Sequence, residues 1–387
     1  MQYKRIIKQS RQSFFLFGPR GVGKSTWLRE HYKADATFNL LEEKRYQEYL
    51  RDPGTFGREL SALPEGSRVV VDEIQRLPDL LNEVHRFIEE KNMTFVLSGS
   101  SARKLKRSGV NLLAGRALRR LMFPLLPEEL GADFDLETVL RYGSIAVIWG
   151  QEEKEEALEA YVQLYLKEEI KAEALVRNLP GFARFLPIAA LCHAQTINAS
   201  NIARDAGVSR STVQGYLEVL EDTLMTFALP AYEAKLRVRE RTHPKLYWID
   251  PGLVRAMKNH RGPVAQEERG MLFEGWIASV LYAYQQHRRL FDSWSYWAPT
   301  EADQLEVDFL LEKEQRILAI EVKSALQLHK SHFKGLRAIA NLPGLHARIM
   351  LYPGDSRQKT EDGIHVIPLS DVLKELASGD LWNVAKA

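Results

Sequence analysis

The chain has 387 residues, of which 45% are hydrophobic and 27% charged, a balance typical of a folded globular protein with room for two to four domains. The net charge of +2 argues against a wholesale nucleic-acid coat protein, so any nucleic-acid contact must come from local basic patches. The single cysteine, Cys192, excludes an internal disulfide and a cysteine-rich zinc site. There is no signal-peptide core and no apolar run of membrane-spanning length, so we expect a cytoplasmic protein without a membrane partner.

The first predicted strand runs directly into a glycine-rich turn. An apolar run, Phe14 to Phe17, precedes the pattern Gly18-x-x-x-x-Gly23-Lys24-Ser25, and a helix-forming segment follows it. This is the context of a phosphate-binding P-loop, in which glycines turn backbone N–H groups toward phosphate oxygens at the positive end of a helix. Lys24 would neutralise the β- and γ-phosphates, and the Ser25 hydroxyl would hold Mg²⁺. The predicted ATP-binding residues here are Gly18, Pro19, Arg20, Gly21, Val22, Gly23, Lys24, Ser25 and Thr26.

A second apolar run ends in two acids. Residues 68–71 lead into Asp72 and Glu73, as expected of a buried parallel strand whose C-terminal end reaches a site. Combined with the P-loop, this pattern predicts that Asp72 completes the Mg²⁺ shell and that Glu73 orients the attacking water. The alternative is a helix N-cap, because the residues that follow could begin a helix.

A third apolar strand, residues 94–97, ends in small hydroxyl side chains. Ser98 and Ser100 are predicted to sense the γ-phosphate of ATP, while the alternative is that the serines here cap the next helix. Strand and helix patterns alternate to about residue 120, which predicts a parallel α/β domain. Pro124, Pro127 and Gly131 then mark a boundary, and the helical segment after it is expected to form a lid behind the nucleotide site.

The middle of the chain predicts a helix-turn-helix followed by a basic strand. Residues 201–213 read as a helix, a glycine turn and a serine-capped helix. In the second helix, Val213, Leu217 and Leu220 are predicted to form a buried stripe, with Arg210, Ser211 and Gln214 outward at the end that would enter a DNA groove. Between residues 231 and 245, five Lys or Arg oppose two Glu in a strand-like segment, which suits the wing of a winged helix that contacts phosphates. The predicted DNA-binding residues are Arg210, Ser211, Lys235, Arg237, Arg239 and Arg241. Winged helices also pack against proteins, so a protein partner is the alternative.

The last part of the chain carries spaced acids and a lysine on two predicted strands. Alternation along residues 305–311 places Glu306 and Asp308 on one face, and Glu321 and Lys323 share a face on the next strand. Asp308 and Glu321 would hold one or two Mg²⁺ ions that activate water, and Lys323 would support the nucleophile and the developing phosphorane charge. Glu274, on a helix predicted at 272–281, would add a metal carboxylate. Nuclease activity and a relic fold that only binds DNA or protein both stay open.

With these motifs in hand, the chain resembles a bacterial and archaeal family of AAA+ ATPases. The family joins a P-loop domain to a C-terminal domain of unknown function related to PD-(D/E)xK nucleases. The resemblance runs nearly from end to end and rests on Gly18–Ser25, Val71-Asp72-Glu73-Ile74-Gln75, Ser98-Gly99-Ser100, Gly115-Arg116 with Phe123-Pro124-Leu125, Pro244-Lys245 with Asp250-Pro251-Gly252-Leu253, and Glu306-Val307-Asp308 with Glu321-Val322-Lys323. Two places depart from the family pattern. Gly143-Ser144-Ile145-Ala146 stands where the family usually has a Gly-Gly-Phe-Pro-like turn. Gln304-Leu305 precedes Glu306, where the family has the form Gly-x-Glu-Val-Asp.

The resemblance implies three further features. They are an oligomeric ring, a nuclease-like C-terminal fold, and an arginine finger at Arg116 that reaches a neighbouring subunit's nucleotide, with Arg103, Arg119 and Arg120 as rivals and a solvated basic face as the alternative. The predicted fold class is α/β in four domains: a P-loop AAA+ ATPase core at 1–123, a helical lid at 124–185, a winged-helix DNA-binding domain at 186–262 and a PD-(D/E)xK nuclease-like α/β domain at 263–387.

The expected function is an oligomeric ATPase that uses ATP and Mg²⁺ and acts on DNA. Branched or junction DNA is a candidate substrate, because the order of ATPase, lid and winged helix looks similar to that of Holliday-junction branch-migration motors. The alternative is a nucleotide-gated regulator or scaffold whose winged helix and relic nuclease domain bind protein partners.

Overall fold

The computed structural model describes residues 3–101, 113–164, 178–232, 242–300 and 305–383. The chain divides into two compact units, the first made of Met1–Leu125, Ile145–Gly150 and Glu218–Met225, the second of Leu126–Ser144, Gln151–Leu217 and Thr226–Ala387. None of the helices in the described ranges is long and apolar enough to span a membrane. The predicted wing residues Lys235, Arg237, Arg239 and Arg241 and the finger candidate Arg103 lie outside the described residues.

The described strands are β1 (Phe14–Phe17), β2 (Ala36–Asn39), β3 (Arg68–Asp72), β4 (Thr94–Gly99), β5 (Leu118–Leu121), β6 (Gln195–Thr196), β7 (Thr226–Leu229), β8 (Lys245–Trp248), β9 (Ser293–Trp297), β10 (Val307–Lys313), β11 (Arg316–Val322), β12 (Leu345–Tyr352), β13 (Gln358–Lys359) and β14 (His365–Pro368). The described helices are α1 (Lys24–His31), α2 (Glu43–Arg51), α3 (Pro53–Ser61), α4 (Leu80–Lys91), α5 (Pro127–Leu130), α6 (Leu136–Tyr142), α7 (Ala146–Trp149), α8 (Lys154–Leu164), α9 (Leu179–Leu191), α10 (Ala199–Ala206), α11 (Arg210–Asp222), α12 (Pro251–Met257), α13 (Gln266–Arg288), α14 (Lys334–Ala338) and α15 (Leu369–Ser378).

The first unit is organised around a parallel sheet in the order β2-β3-β4-β1-β5. The middle of each central strand is apolar because it is buried on both faces, as in the run 69–71 of β3. The prediction of a parallel α/β domain is confirmed. Strand β4 lies between the P-loop strand β1 and the acidic strand β3, so the end of β4 lies between their two functional ends.

The helix-turn-helix pattern takes the predicted local form. Gly207 ends α10 with a φ of 64°, in the left-handed region that favours glycine. The Ser209 hydroxyl accepts a hydrogen bond from the N–H of Thr212 at 3.1 Å at the start of α11. The predicted buried stripe of α11 is confirmed at Val213, Leu217 and Leu220. Strands β6, β7 and β8 form an antiparallel sheet in the order β6-β8-β7.

The C-terminal sheet has the order β13-β14-β12-β11-β10-β9. Strands β10 and β11 form an antiparallel pair, with Phe309 opposite Ile320, while β11 and β12 are parallel. The predicted adjacency of the strands that carry Asp308 and Glu321 is therefore confirmed. Glu274 lies on α13, which is longer at both ends than the predicted helix 272–281.

Candidate functional site

The P-loop has the backbone shape that its glycines predict. Gly21 and Gly23 have φ values of 76° and 98°, which other residues rarely adopt. A Cβ atom on Gly18 would lie 2.3 Å from the carbonyl oxygen of Met122, so that position has no room for a side chain. Lys24, the first residue of α1, is buried, and its Nζ donates to the carbonyl oxygens of Gly18 at 2.7 Å and Pro19 at 3.0 Å. The lysine thus lies folded over the loop.

The two acids at the end of β3 take different positions. The carboxylate of Asp72 is largely buried and accepts a hydrogen bond from the Ser98 hydroxyl at the end of β4. Glu73 has a φ of 61°, an unusual backbone conformation for a residue with a side chain and one that often occurs at functional sites. A 3-10 turn does begin at Ile74, but the Glu73 side chain forms no capping hydrogen bond to it. Glu73 therefore occupies the N-cap position of this short turn through its backbone alone, and its role in orienting water stays a prediction.

Gln75 links this acid to the next strand, a contact that sequence reasoning missed. The amide Nε2 donates to the carboxylate of Glu73 and, at 3.2 Å, to the hydroxyl of Ser100. Gln75 is buried, and a Cβ on Gly99 would lie 2.4 Å from its Oε1, so the glycine makes room for the amide. The sequence signal that could have found Gln75 is its position two residues after Glu73. Ser98 thus contacts Asp72, and Ser100 contacts Gln75, which in turn contacts Glu73. The predicted role of the two serines in sensing the γ-phosphate stays a prediction.

Two further segments of the first unit contact the P-loop. The backbone N–H of Val147, in α7, donates to the carbonyl oxygen of Gly21 at 2.9 Å. The Arg5 guanidinium donates to the carbonyl oxygens of Val22, at 3.0 Å, and Phe123. Val147 lies in the predicted lid and Arg5 in no predicted site, since neither contact has a local sequence pattern.

The arginine-finger candidate has a partner within its own chain. The guanidinium of Arg116 forms an ion pair with the carboxylate of Glu89 on α4, and both side chains are exposed. Of its rivals on β5, Arg119 is exposed and Arg120 is half-buried. Action on a neighbouring subunit stays a prediction.

In the second unit, Lys245 lies among carboxylates. Its Nζ is 3.0 Å from Oε1 of Glu274, 3.2 Å from Oε2 of Glu306 and 3.6 Å from Oδ1 of Asp308. The Tyr247 hydroxyl donates to the same Glu274 oxygen at 2.7 Å. Sequence reasoning counted Lys245 in the basic wing segment, and that assignment is wrong because the side chain is only 3% exposed.

Glu321 and Lys323 form the neighbouring pair. Lys323 Nζ is 2.6 Å from Oε1 of Glu321, which confirms that the two side chains share a face. The Asp308 carboxylate accepts a hydrogen bond from the N–H of Val322 at 2.8 Å, which fixes it beside β11. Among the described residues, the acids whose oxygens are mutually close enough for one cation, within 4.8 Å, are Glu274, Glu306 and Asp308. Glu306 was absent from the predicted metal ligands, and Glu321 lies outside this set.

Burial and charge act in opposite directions on this cluster. Burial would lower the pKa of Lys245, but the carboxylates of Glu274, Asp308 and Glu306 outweigh it and raise that pKa well above its usual range. Burial, with the nearby charge of Asp308, raises the pKa of both Glu274 and Glu321. Lys245 is therefore a fixed positive charge in this cluster.

Family models match three consecutive parts of the chain. Residues 10–131 match a family described as an AAA domain. This confirms the predicted AAA-type nucleotide-binding domain. Residues 134–263 and 269–372 match two families described as domains of unknown function, DUF8612 and DUF4143. The second of these agrees with the C-terminal domain of unknown function that the resemblance implied.

Relatives extend along most of the chain. The chain is 25% identical over 370 residues to the uncharacterized protein Rv2008c of Mycobacterium tuberculosis, with 92% of this chain and 80% of the relative covered. It is 23% identical over 389 residues to an uncharacterized protein of Haemophilus influenzae, with 92% of each covered. Among solved structures, Orc1 of Aeropyrum pernix in complex with DNA is 14% identical, covers 65% of this chain and 87% of its own, and has a TM-score of 0.28. VC1899 of Vibrio cholerae is 12% identical, covers 96% and 98%, and has a TM-score of 0.24. TM-scores this low do not establish a shared overall fold.

The remaining predicted residues lie on the surface of the helix-turn-helix. Arg210, Ser211 and Gln214 are exposed at the N-terminal end of α11, as the pattern predicted. Their contact with DNA stays a prediction. The bounds of the four predicted domains also stay a prediction.

Proposed function

We propose that this protein hydrolyses ATP at the C-terminal edge of the parallel sheet in its first unit. The observation that carries the proposal is the convergence there of the P-loop after β1, Asp72 and Glu73 at the end of β3, and the serines at the end of β4. Hydrogen bonds join the acids to the serines: Ser98 bonds to Asp72, and Gln75 bonds to both Glu73 and Ser100.

The residues present suit a magnesium nucleotide. Ser25 is exposed at the first turn of α1, and Asp72 offers a carboxylate fixed by Ser98, so these two hard oxygen donors would hold Mg²⁺. When bound, Mg²⁺ neutralises charge on the β- and γ-phosphates. Lys24 would exchange its hydrogen bonds to the loop carbonyls for bonds to phosphate oxygens, and Glu73 would orient the attacking water.

Two variants test ATP hydrolysis. Lys24→Ala should abolish nucleotide binding, while Glu73→Gln should keep ATP bound and reduce turnover by orders of magnitude, because the amide cannot accept the water proton. Lys33→Ala and Glu30→Gln change exposed residues near the same helix and serve as matched controls. Turnover at the wild-type rate in Glu73→Gln would show that Glu73 is not the base.

We also propose that the ATPase acts on DNA, with branched or junction DNA as the candidate substrate. The exposed start of α11 and the basic segment 235–241 support this proposal. Replacing Arg237, Arg239 and Arg241 together with Ala should weaken binding to all sequences alike and reduce the salt dependence of log affinity by about 0.9 per lost phosphate contact.

The ATPase rate should be measured without DNA and with linear, forked and four-way DNA. A rate that rises most with forked or four-way DNA supports the junction proposal. Unchanged DNA affinity in the triple variant, with no stimulation by any DNA, would instead favour the regulator or scaffold that binds a protein partner.

A further inference from the structure

Lys245 occupies the position that the nuclease assignment would give to a metal ion. Its Nζ lies within 3.6 Å of carboxylate oxygens from Glu274, Glu306 and Asp308. Glu274 lies on α13, Glu306 just before β10 and Asp308 within it, and their mutual spacing would suit one cation. In this structure the cation at that position is an ammonium group of the chain itself.

A divalent ion and this ammonium group cannot share the position. Mg²⁺ holds oxygen ligands at roughly 2.0–2.1 Å. An ion bound by the same three carboxylates would therefore overlap Nζ and meet its positive charge. The predicted metal set of Glu274, Asp308 and Glu321 does not fit the site as it is built, because two of its three acids already pair with Lys245 and the third with Lys323.

The ammonium group is also held firmly in place. Lys245 is the first residue of β8, and its backbone pairs with Leu229 on β7 and with Thr196 on β6. Its side chain is 3% exposed, so it cannot swing into water without movement of the strand. The Tyr247 hydroxyl, two residues along the same strand, bonds to Glu274 as well.

We propose that Lys245 is the resident cation of this carboxylate cluster, so that the C-terminal domain neither binds Mg²⁺ or Mn²⁺ at Asp308 nor cleaves phosphodiesters. The cluster serves instead as an internal ion-pair lock that fastens β8 to α13 and β10. This inference is independent of ATP hydrolysis, because it concerns a different unit of the chain.

The test measures Mn²⁺ binding to the nucleotide-free full-length protein by electron paramagnetic resonance at mildly alkaline pH. Wild type and Asp308→Asn should bind Mn²⁺ alike, because no site depends on Asp308. Lys245→Met should gain one saturable site, and the double variant Lys245→Met/Asp308→Asn should lose it again. Lys258→Met is the matched control, because it removes another buried lysine that pairs with Glu268 at 3.5 Å, and it should gain no site.

Two outcomes of the Mn²⁺ measurement would overturn the proposal. One is a wild-type Mn²⁺ site that disappears in Asp308→Asn. The other is a folded Lys245→Met variant that gains no site. If Lys245→Met fails to fold, the comparison of wild type with Asp308→Asn still decides. Metal-dependent cleavage of linear, forked or four-way DNA by the wild type, abolished in Asp308→Ala, would contradict the proposal as well.

Discussion

The side-chain amide of Gln75 donates a hydrogen bond to the carboxylate of Glu73, the acid proposed to position the attacking water. The same nitrogen also bonds to Ser100 on the next strand, so the acid is tied to β4 through one buried amide. Glu73 itself has a left-handed backbone, so its direction depends on such supports more than that of a residue inside a regular strand.

Replacing Gln75 with Ala should therefore lower kcat for ATP hydrolysis and leave ATP affinity near the wild-type value. A misplaced catalytic group can cost roughly 100-fold in rate, and we expect a loss of about 10- to 100-fold. Steady-state ATPase assays and binding of a fluorescent ATP analogue separate the two effects. Gln47→Ala, which removes a half-buried glutamine bonded to Glu43, is the matched control. If ATP affinity in Gln75→Ala fell as much as the rate, Gln75 would support binding rather than Glu73.

Hydrolysis should require assembly if Arg116 acts across a subunit boundary. Arg116→Ala should then reduce turnover strongly, since a finger supplied in trans is worth ~10³–10⁵ in rate. Mixing Arg116→Ala with Lys24→Ala subunits should partly restore turnover, because some interfaces pair an intact site with an intact finger. Absence of rescue, with full activity in a dilute monomer, would rule the idea out.

The ion pair between Arg116 and Glu89 adds a second test of the finger. Glu89→Gln removes the partner of Arg116 within its own chain, so turnover should stay at the wild-type level or rise. Glu90→Gln, which removes a partner of Arg86 on the same helix, is the matched control. A loss of turnover confined to Glu89→Gln would show that the pair supports activity rather than restraining the finger.

Gly275→Ala should destabilise the second unit. A Cβ there would lie 1.9 Å from Nε2 of the buried His193, and overpacking of this kind costs about 1–3 kcal/mol. Gly215→Ala is the control, because it lies inside α11 with no atom within 4 Å of the added Cβ and should add up to ~1 kcal/mol of helix stability. Urea unfolding measures both changes. Equal effects of the two substitutions would contradict the packing argument.

His193 should make the stability of the protein depend on pH. Burial, aided by the charge of Lys258, lowers the pKa of His193 from 6.5 to about 3, and its Nδ1 accepts a hydrogen bond from the N–H of Trp248. Because the unfolded chain takes up the proton first, this contribution is complete above pH 6.5 and declines as pH falls toward 3. The free energy of unfolding should fall by up to about 1.4 kcal/mol per pH unit in that window from this group.

Measuring the free energy of unfolding at several pH values, in wild type and in His193→Gln, isolates the contribution of His193. The variant should show a shallower loss of stability on acidification. His243→Gln removes an exposed histidine and should leave the slope as it is in wild type. Parallel curves for wild type and His193→Gln would mean that His193 titrates normally in the folded state.

Local sequence patterns were enough to predict the features that depend on neighbouring residues alone. Strand β1 has the predicted bounds, Phe14–Phe17, because a strand buried on both faces is apolar throughout. The buried stripe of α11 could be predicted from the helical spacing of its apolar residues. The turn before it could be predicted from Gly207, because glycine adopts a left-handed backbone easily. Asp72 and Glu73 stood out because two acids at the end of an apolar strand are unusual.

Contacts between distant segments could not be predicted in this way. Lys245 follows a basic stretch and was grouped with it, yet its partners Glu274, Glu306 and Asp308 come from elements later in the chain. Val147 reaches the P-loop through its backbone, which leaves no trace in residue type. Gln75 was visible as a motif residue, but its contact with Ser100 depends on β3 and β4 lying side by side.

The cluster around Lys245 makes its positions dependent on one another during evolution. Loss of the lysine alone would leave several buried carboxylates repelling each other, and loss of an acid alone would leave the ammonium group with fewer partners. A homologous chain with a neutral residue in place of Lys245 should therefore also have replaced at least one of the acids. A homologue that keeps every acid without the lysine would be the one in which to search for metal-dependent cleavage.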